Sequence, residues 1–178
     1  MQTVIALGTF DGMHPGHRAV ISRAVDKARQ MKKKAMVYTF STIPRALFAD
    51  APKMLMSAED REKEMLKMGV SEVVMVDFTK EIAEMSPEAF VKMLFETYHP
   101  CAIVAGEDYS FGHKARGNME MLRTFGKEMG FEVITVETIR VKLPDGSFGD
   151  KISSTDIRKA IDDNNISLAE HLFKGEIL

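Results

Sequence analysis

Cysteine is nearly missing from this chain: Cys101 is the only one in 178 residues. A single thiol excludes an intramolecular disulfide and a multi-cysteine zinc site, and it fits a reducing cytosol. An excess of charge of either sign is missing too. Lys and Arg total 24 against 26 for Asp and Glu, a net charge of −2. General nucleic-acid and membrane-surface binders carry a basic excess, so neither partner is expected. Long hydrophobic runs are lacking, and the apolar stretch from Val4 to Leu7 is far too short for a signal peptide or a membrane span. There is no internal repeat, low-complexity tract or linker. What is present, 45% hydrophobic and 28% charged residues, is the balance of a globular chain able to bury a core without staples. The expectation is one cytoplasmic domain over residues 1–178, with no obligatory protein partner.

Short apolar runs alternate with amphipathic helical stretches. Thr3 to Leu7 reads as a buried strand, followed by a Gly-rich turn and a helix from about Gly16 to Met31. Val20, Ile21, Ala24, Val25, Ala28 and Met31 share one face of that helix. Lys32 to Lys34 place cations where its dipole favours them. Ala35 to Phe40 is a second strand. Ser57 and Asp60 have capping-box spacing and open a helix from Ala58 to Met68 that stops at Gly69. Glu72 to Val76 is the third strand, and Ser86-Pro87-Glu88 opens another helix. Cys101 to Ala105 is the fourth strand, followed by a loop punctuated by Gly106, Gly112 and Gly117. Asn118 caps a helix ending at Gly130, and Glu132 to Val136 is the fifth strand. Pro144-Asp145-Gly146 reads as a hairpin turn. Ser153 or Ser154 opens a helix through Asp162, and Ser167 with Glu170 opens a last short one.

This alternation predicts an α/β fold: a five-stranded parallel sheet with helices on both faces and a small C-terminal hairpin and helical part. Ligands of open parallel sheets sit beyond the carboxyl ends of the strands, where strand order reverses. Function is therefore expected just after strands one, two and four.

Gly8-Thr9-Phe10-Asp11-Gly12-Met13-His14-Pro15-Gly16-His17 follows the first strand. Backbone N–H groups and a helix dipole make this a natural phosphate site. Gly16 lets the backbone approach a triphosphate, and His14 and His17 add donors without a permanent charge. The plainer alternative is one histidine capping a helix and the other solvated; two at this spacing between glycines favour phosphate. The spacing also fits a metal pair, but no third ligand is near, so no protein-held metal is expected. The second segment is Ile152-Ser153-Ser154-Thr155-Asp156-Ile157-Arg158. Its hydroxyls can cap a helix, while Arg158, one turn above Ser154 on the same face, suits anion binding. Two such helix starts suggest a nucleoside triphosphate held between them.

Taken together, Gly8 to Gly12 with His14-Pro-Gly-His17, and Ile152-Ser-Ser-Thr-x-Ile-Arg158, resemble the HIGH-type nucleotidyltransferase superfamily. The run from Val104 to Gly117 is similar to the flavin-binding loop of the FMN adenylyltransferase module in prokaryotic bifunctional riboflavin kinase/FAD synthetases. The resemblance runs in order over essentially the whole chain. It departs from the family in two ways. The riboflavin kinase domain that normally follows is not expected within these 178 residues. The stretch Thr-Phe-x-Pro-His-Pro is here Thr39-Phe40-Ser41-Thr42-Ile43-Pro44, with Ile43 in place of histidine.

The resemblance implies a Rossmann-like fold and transfer of AMP from ATP to the phosphate of FMN, giving FAD and pyrophosphate. It implies catalytic roles for His14, His17 and Arg158, with His17 acting on the transition state and Arg158 on the polyphosphate. ATP and its phosphates would meet Gly8, Thr9, Phe10, Asp11, Gly16, Ser153, Ser154 and Thr155. Flavin would meet Phe40, Pro44, Phe48, Asp108, Tyr109 and Phe111. Mg²⁺ would accompany ATP. Two alternatives stand beside this expectation: a cytidylyltransferase-like enzyme for another phosphorylated acceptor, and a flavin-nucleotide binding protein impaired in catalysis, for which Ile43 is the sequence support.

Overall fold

Strands buried on both faces need apolar residues at nearly every position, and the strands here have them. The computed structural model describes residues 2–42, 53–140 and 152–174. Its elements are β1 (Thr3–Leu7), α1 (Pro15–Met31), β2 (Lys34–Phe40), α2 (Ala58–Lys67), β3 (Glu72–Val76) and α3 (Lys80–Glu84). There follow α4 (Pro87–Tyr98), β4 (Pro100–Gly106), α5 (Met119–Met129), β5 (Glu132–Val136), α6 (Ser154–Asp162) and α7 (Ile166–Lys174). All five strands are parallel, in the order β3-β2-β1-β4-β5. The α/β fold class and the five-stranded parallel sheet are as expected. Strand order reverses between β1 and β4, which places the ligand crevice at their carboxyl ends.

Central β1 is buried throughout and splits by strand periodicity. Val4 and Ala6 pack with Ile21, Ala24, Val25 and Ala28 of α1 and Met65 of α2. Ile5 and Leu7 pack on the other face with Phe90, Val91 and Leu94 of α4 and Leu122 of α5. A third, smaller cluster joins Ile152, Ile157 and Ala160 to Ala169 and Leu172, tying α6 to α7.

Local capping chemistry matches the sequence at most helix starts. Ser57, Ser86 and Asn118 each accept from the backbone N–H three residues on. Two starts differ. Thr79 opens α3, a five-residue helix too short for periodicity to reveal. The last helix is opened by Asn165 rather than Ser167: the Leu168 N–H donates to Asn165 Oδ1 at 3.1 Å. The turn expected at Pro144-Asp145-Gly146 lies outside the described residues.

Candidate active site

Beyond the carboxyl ends of β1, β4 and β5 lies a cavity of about 360 Å³, closed on one side by the start of α6. The loop leaving β1 supplies its floor. Three residues of that loop use left-handed backbone: Phe10 (φ 52°), Gly12 (φ 82°) and Met13 (φ 46°). Phe10 and Met13 are nonetheless buried as core side chains, so packing holds the conformation. At Gly12 a Cβ would come within 2.8 Å of the Leu55 side chain, which leaves glycine as the residue that fits.

The loop ends at His14, the N-cap of α1, whose side chain makes no capping hydrogen bond. Its ring stacks on His17 instead, with centroids 3.6 Å apart and planes 27° apart. A Cβ at Gly16 would lie 3.2 Å from the His14 ring, so glycine makes room for this stack. His17 also meets the edge of Phe10 at 5.5 Å. Burial above all, then His14 and Arg61, holds the His17 imidazole well below its ordinary value of 6.5. His17 is therefore neutral at physiological pH, a donor without a charge. Among the described residues its Nδ1 is buried without a hydrogen-bond partner.

Asp11 organises the part of that floor nearest α6. It is 1% exposed, and its Oδ1 accepts from the N–H groups of Leu55 (2.8 Å) and Met56 (3.3 Å). Its Oδ2 takes the Arg158 guanidinium, whose Nε donates to the Lys53 carbonyl at 3.0 Å. Ser154 donates to the Asp11 carbonyl at 2.8 Å. Arg158 thus lines the cavity already paired, bracing loop and helix. Ser153 is occupied by a full capping box with Asp156. Thr155 is exposed and does not line the cavity.

On the β4 side the Glu107 N–H donates to the Val136 carbonyl at 3.0 Å, and its Oε1 accepts from the N–H and hydroxyl of Thr138. Asp108 and Tyr109 line the cavity. Tyr109 stacks on Phe111 at 5.7 Å, and burial pushes its phenol well up from 10.0. Phe111 itself belongs to the core, 5% exposed and tilted against Phe90. Phe40 packs on Phe78 at 4.9 Å and does not line this cavity. Pro44 and Phe48, with Ile43, lie outside the described residues.

The cavity therefore brings together Gly8, Thr9, Phe10, Asp11, His14, Gly16, His17, Asp108, Tyr109, Ser153, Ser154 and Arg158. It leaves Thr155, Phe40 and Phe111 aside. Arg61 was not legible as a site neighbour. The available signal was an arginine four residues before Met65 on the buried face of α2. Among the described residues no group of three potential ligands could hold a metal ion. Asp11, the carboxylate on the floor, has both oxygens engaged, so these residues do not fit a resident Mg²⁺ site.

The sequence model of the family described as FAD synthetase matches residues 1–156. The chain belongs to the FAD synthetase family. Over 172 residues it is 38% identical to the bifunctional riboflavin kinase/FMN adenylyltransferase of Listeria monocytogenes, covering 95% of this chain and 52% of that one. The protein of the same name from Escherichia coli strain K12 is 32% identical, with 95% and 53% covered. The chain spans about half the length of these relatives. A solved structure from Streptococcus pneumoniae, described as a macrolide-efflux protein, superposes with a TM-score of 0.80 at 31% identity, covering 97% of this chain and 55% of that one. Among the described residues of this chain, no helix is long and apolar enough to cross a membrane.

Proposed function

We propose that this chain transfers AMP from ATP to the phosphate of FMN, giving FAD and pyrophosphate, as a single cytoplasmic domain needing no protein partner. The observation that carries this reading is the convergence of the stacked His14–His17 pair and the start of α6 on one cavity at the strand-order switch point. An FMN phosphate oxygen attacks the α-phosphorus, and the bond from that phosphorus to the pyrophosphate oxygen breaks. The nucleophile is ionised at neutral pH, so no general base is required. The task left to the protein is to align three phosphorus centres and stabilise the charge that develops between them.

Neutral His17 suits that task. It offers an N–H to a phosphate oxygen, and its interaction grows as charge accumulates in the transition state. His14, stacked against it, fixes its ring plane. Arg158 and Asp11 hold the floor, and the arginine adds positive charge at the cavity edge. Tyr109 and Asp108 lie on the β4 side, where an aromatic face and a polar edge suit an isoalloxazine. Mg²⁺ belongs to this reading as a companion of the nucleotide's own phosphates.

Incubating pure protein with Mg²⁺, FMN and either ATP or CTP and separating the products tests the proposal. FAD and pyrophosphate in equal amounts are expected. Consumption of CTP in preference to ATP, or no FAD at all, would remove it.

A further inference from the structure

Arg61 heads the fully buried side chains of the described residues by volume, and it is a cation. It projects from α2 into the gap between the loop leaving β1 and the end of β2. Nη1 donates to the Thr9 carbonyl at 2.8 Å. Nη2 donates to the carbonyls of Phe40 at 3.0 Å and Ser41 at 2.8 Å. Met75 Sδ lies 3.9 Å away, and Nε is buried without a partner among the described residues. The hydrogen bonds of its guanidinium, among the described residues, thus go to no carboxylate.

A buried guanidinium whose hydrogen bonds go to carbonyls and a thioether, with the Asp11 carboxylate only a non-bonded countercharge, is a costly way to fill a helix face, where a second methionine beside Met65 would pack more cheaply. Satisfying the Thr9 carbonyl does not require it either, because the Thr39 hydroxyl already donates there at 3.0 Å. What the guanidinium adds is a rigid planar fork with donors at fixed spacing. The β1–β2 ladder ends at the pair Leu7 and Tyr38. Two residues further on, the fork grips Thr9 after β1 on one side and Phe40 with Ser41 at the end of β2 on the other. Strand register is thereby continued past the end of the sheet into the loop that carries His14 and His17.

We propose that Arg61 is a positioning residue for the transfer, fixing the phosphate loop after β1 against the segment leaving β2 so that the reacting phosphates meet in line. This rests on the AMP-transfer reading. Arg61 touches no substrate; it acts through backbone carbonyls. Its loss should therefore misalign reactants that still bind.

The test compares wild type with Arg61→Lys, which keeps a charge but cannot span both carbonyl sets, and with Arg61→Met. Melting temperature, kcat, KM for ATP and FMN, and amide exchange at residues 8–14 and 39–42 are measured on each. For folded Arg61→Lys, kcat should fall about 10²-fold, the scale of a 1 Å misplacement. Both KM values should stay within about threefold. Exchange should rise in both segments together. Wild-type kcat in a folded Arg61→Lys variant overturns the proposal, as does a loss that only tracks the unfolded fraction or falls on KM alone. Should neither Arg61 variant fold, Thr39→Val weakens the same anchor more gently; several-fold lower kcat at unchanged KM supports the proposal, and unchanged kcat overturns it. Wild type that makes no FAD sinks the AMP-transfer reading instead, and unchanged exchange in Arg61→Lys then decides against the register device on its own.

Discussion

The starts of α1 and α6 look alike in sequence, each a run of polar and small residues before an amphipathic helix, yet they are built for different ends. At α1 the N-cap residue His14 makes no side-chain cap, Pro15 follows it, and the first turn holds no acidic residue. At α6 Ser153 and Asp156 cap each other's backbone N–H groups reciprocally, and Asp156 places a carboxylate in the first turn. An anion is drawn to unsatisfied N–H groups at the positive end of a helix, and a carboxylate already seated there repels it. On the AMP-transfer proposal, the difference favours α1 as the phosphate-binding start, while α6 braces by contributing Ser154 and Arg158 to the Asp11 corner.

The comparison breaks most visibly at the α1 start. His17→Ala should lower kcat about 10²–10³-fold, the usual consequence of losing one preorganised donor, with the melting temperature little changed. Near-normal turnover would remove the catalytic role of the pair and, with it, the contrast between the two helix starts.

Asp11 joins the two regions, so its removal should be felt mainly in stability. Asp11→Asn keeps an acceptor for the Leu55 and Met56 amides but strips the charge facing Arg158, which is itself only 17% exposed. Breaking a largely buried pair in this way should cost about 3 kcal/mol in urea unfolding. A loss below roughly 1 kcal/mol would class the pair with exposed ones and detach α6 from the loop.

A pH series separates the two starts further. The folded-state value of His17 lies well below 6.5 because burial, then His14 and Arg61, disfavours the imidazolium. Below pH 6.5 the unfolded chain takes up a proton that the native chain refuses, so stability falls as pH drops from there towards the folded value. The slope should approach 1.4 kcal/mol per pH unit, roughly, for one such group. Glu64, whose value is lowered chiefly by its hydrogen bond to Lys67, contributes only below about its ordinary 4.5. Urea midpoints between pH 7 and 5 should thus decline in wild type and flatten in His17→Ala; equal slopes would mean that another group carries the loss.

Most of this architecture was legible because its causes are local. The parallel sheet follows from apolar runs alternating with amphipathic helices, and Ser57, Ser86, Asn118 and Ser153 signal their helices within three residues. The His14–His17 pair is similarly local, separated by Pro15 and Gly16. Arg61 was hidden because its partners are carbonyls 52, 21 and 20 residues away, and a carbonyl has no sequence signature. The Asp11–Arg158 pair spans 147 residues, so the sequence suggested an anion-binding arginine without showing that a carboxylate had already claimed it. Phe40 and Phe111 were expected at the flavin on the resemblance alone, because an aromatic beside a cleft and one in the core look the same in sequence. Only packing tells them apart: Phe111 closes on Phe90 and pairs with Gly117 across its own loop.

The smallest effect belongs to the cap of α6. Ser153 Oγ accepts the Asp156 N–H at 3.3 Å and lies 2.6 Å from Asp156 Oδ2, while the Ser153 N–H donates to that same carboxylate at 2.9 Å. All of this lies within one turn of one helix. If the α6 start is a brace, Ser153→Ala should cost about 1 kcal/mol of stability, the usual value of an N-cap, and leave kcat within about threefold. If instead Ser153 releases its cap to hold a phosphate in the working enzyme, the free protein would lose little beyond that cap, whereas kcat would fall by a factor nearer that expected for His17. Measuring unfolding and turnover on the same preparation distinguishes the two. The already satisfied geometry of the capping box leaves Ser153 no unfilled donor to offer, which is why the stability loss without the rate loss is expected.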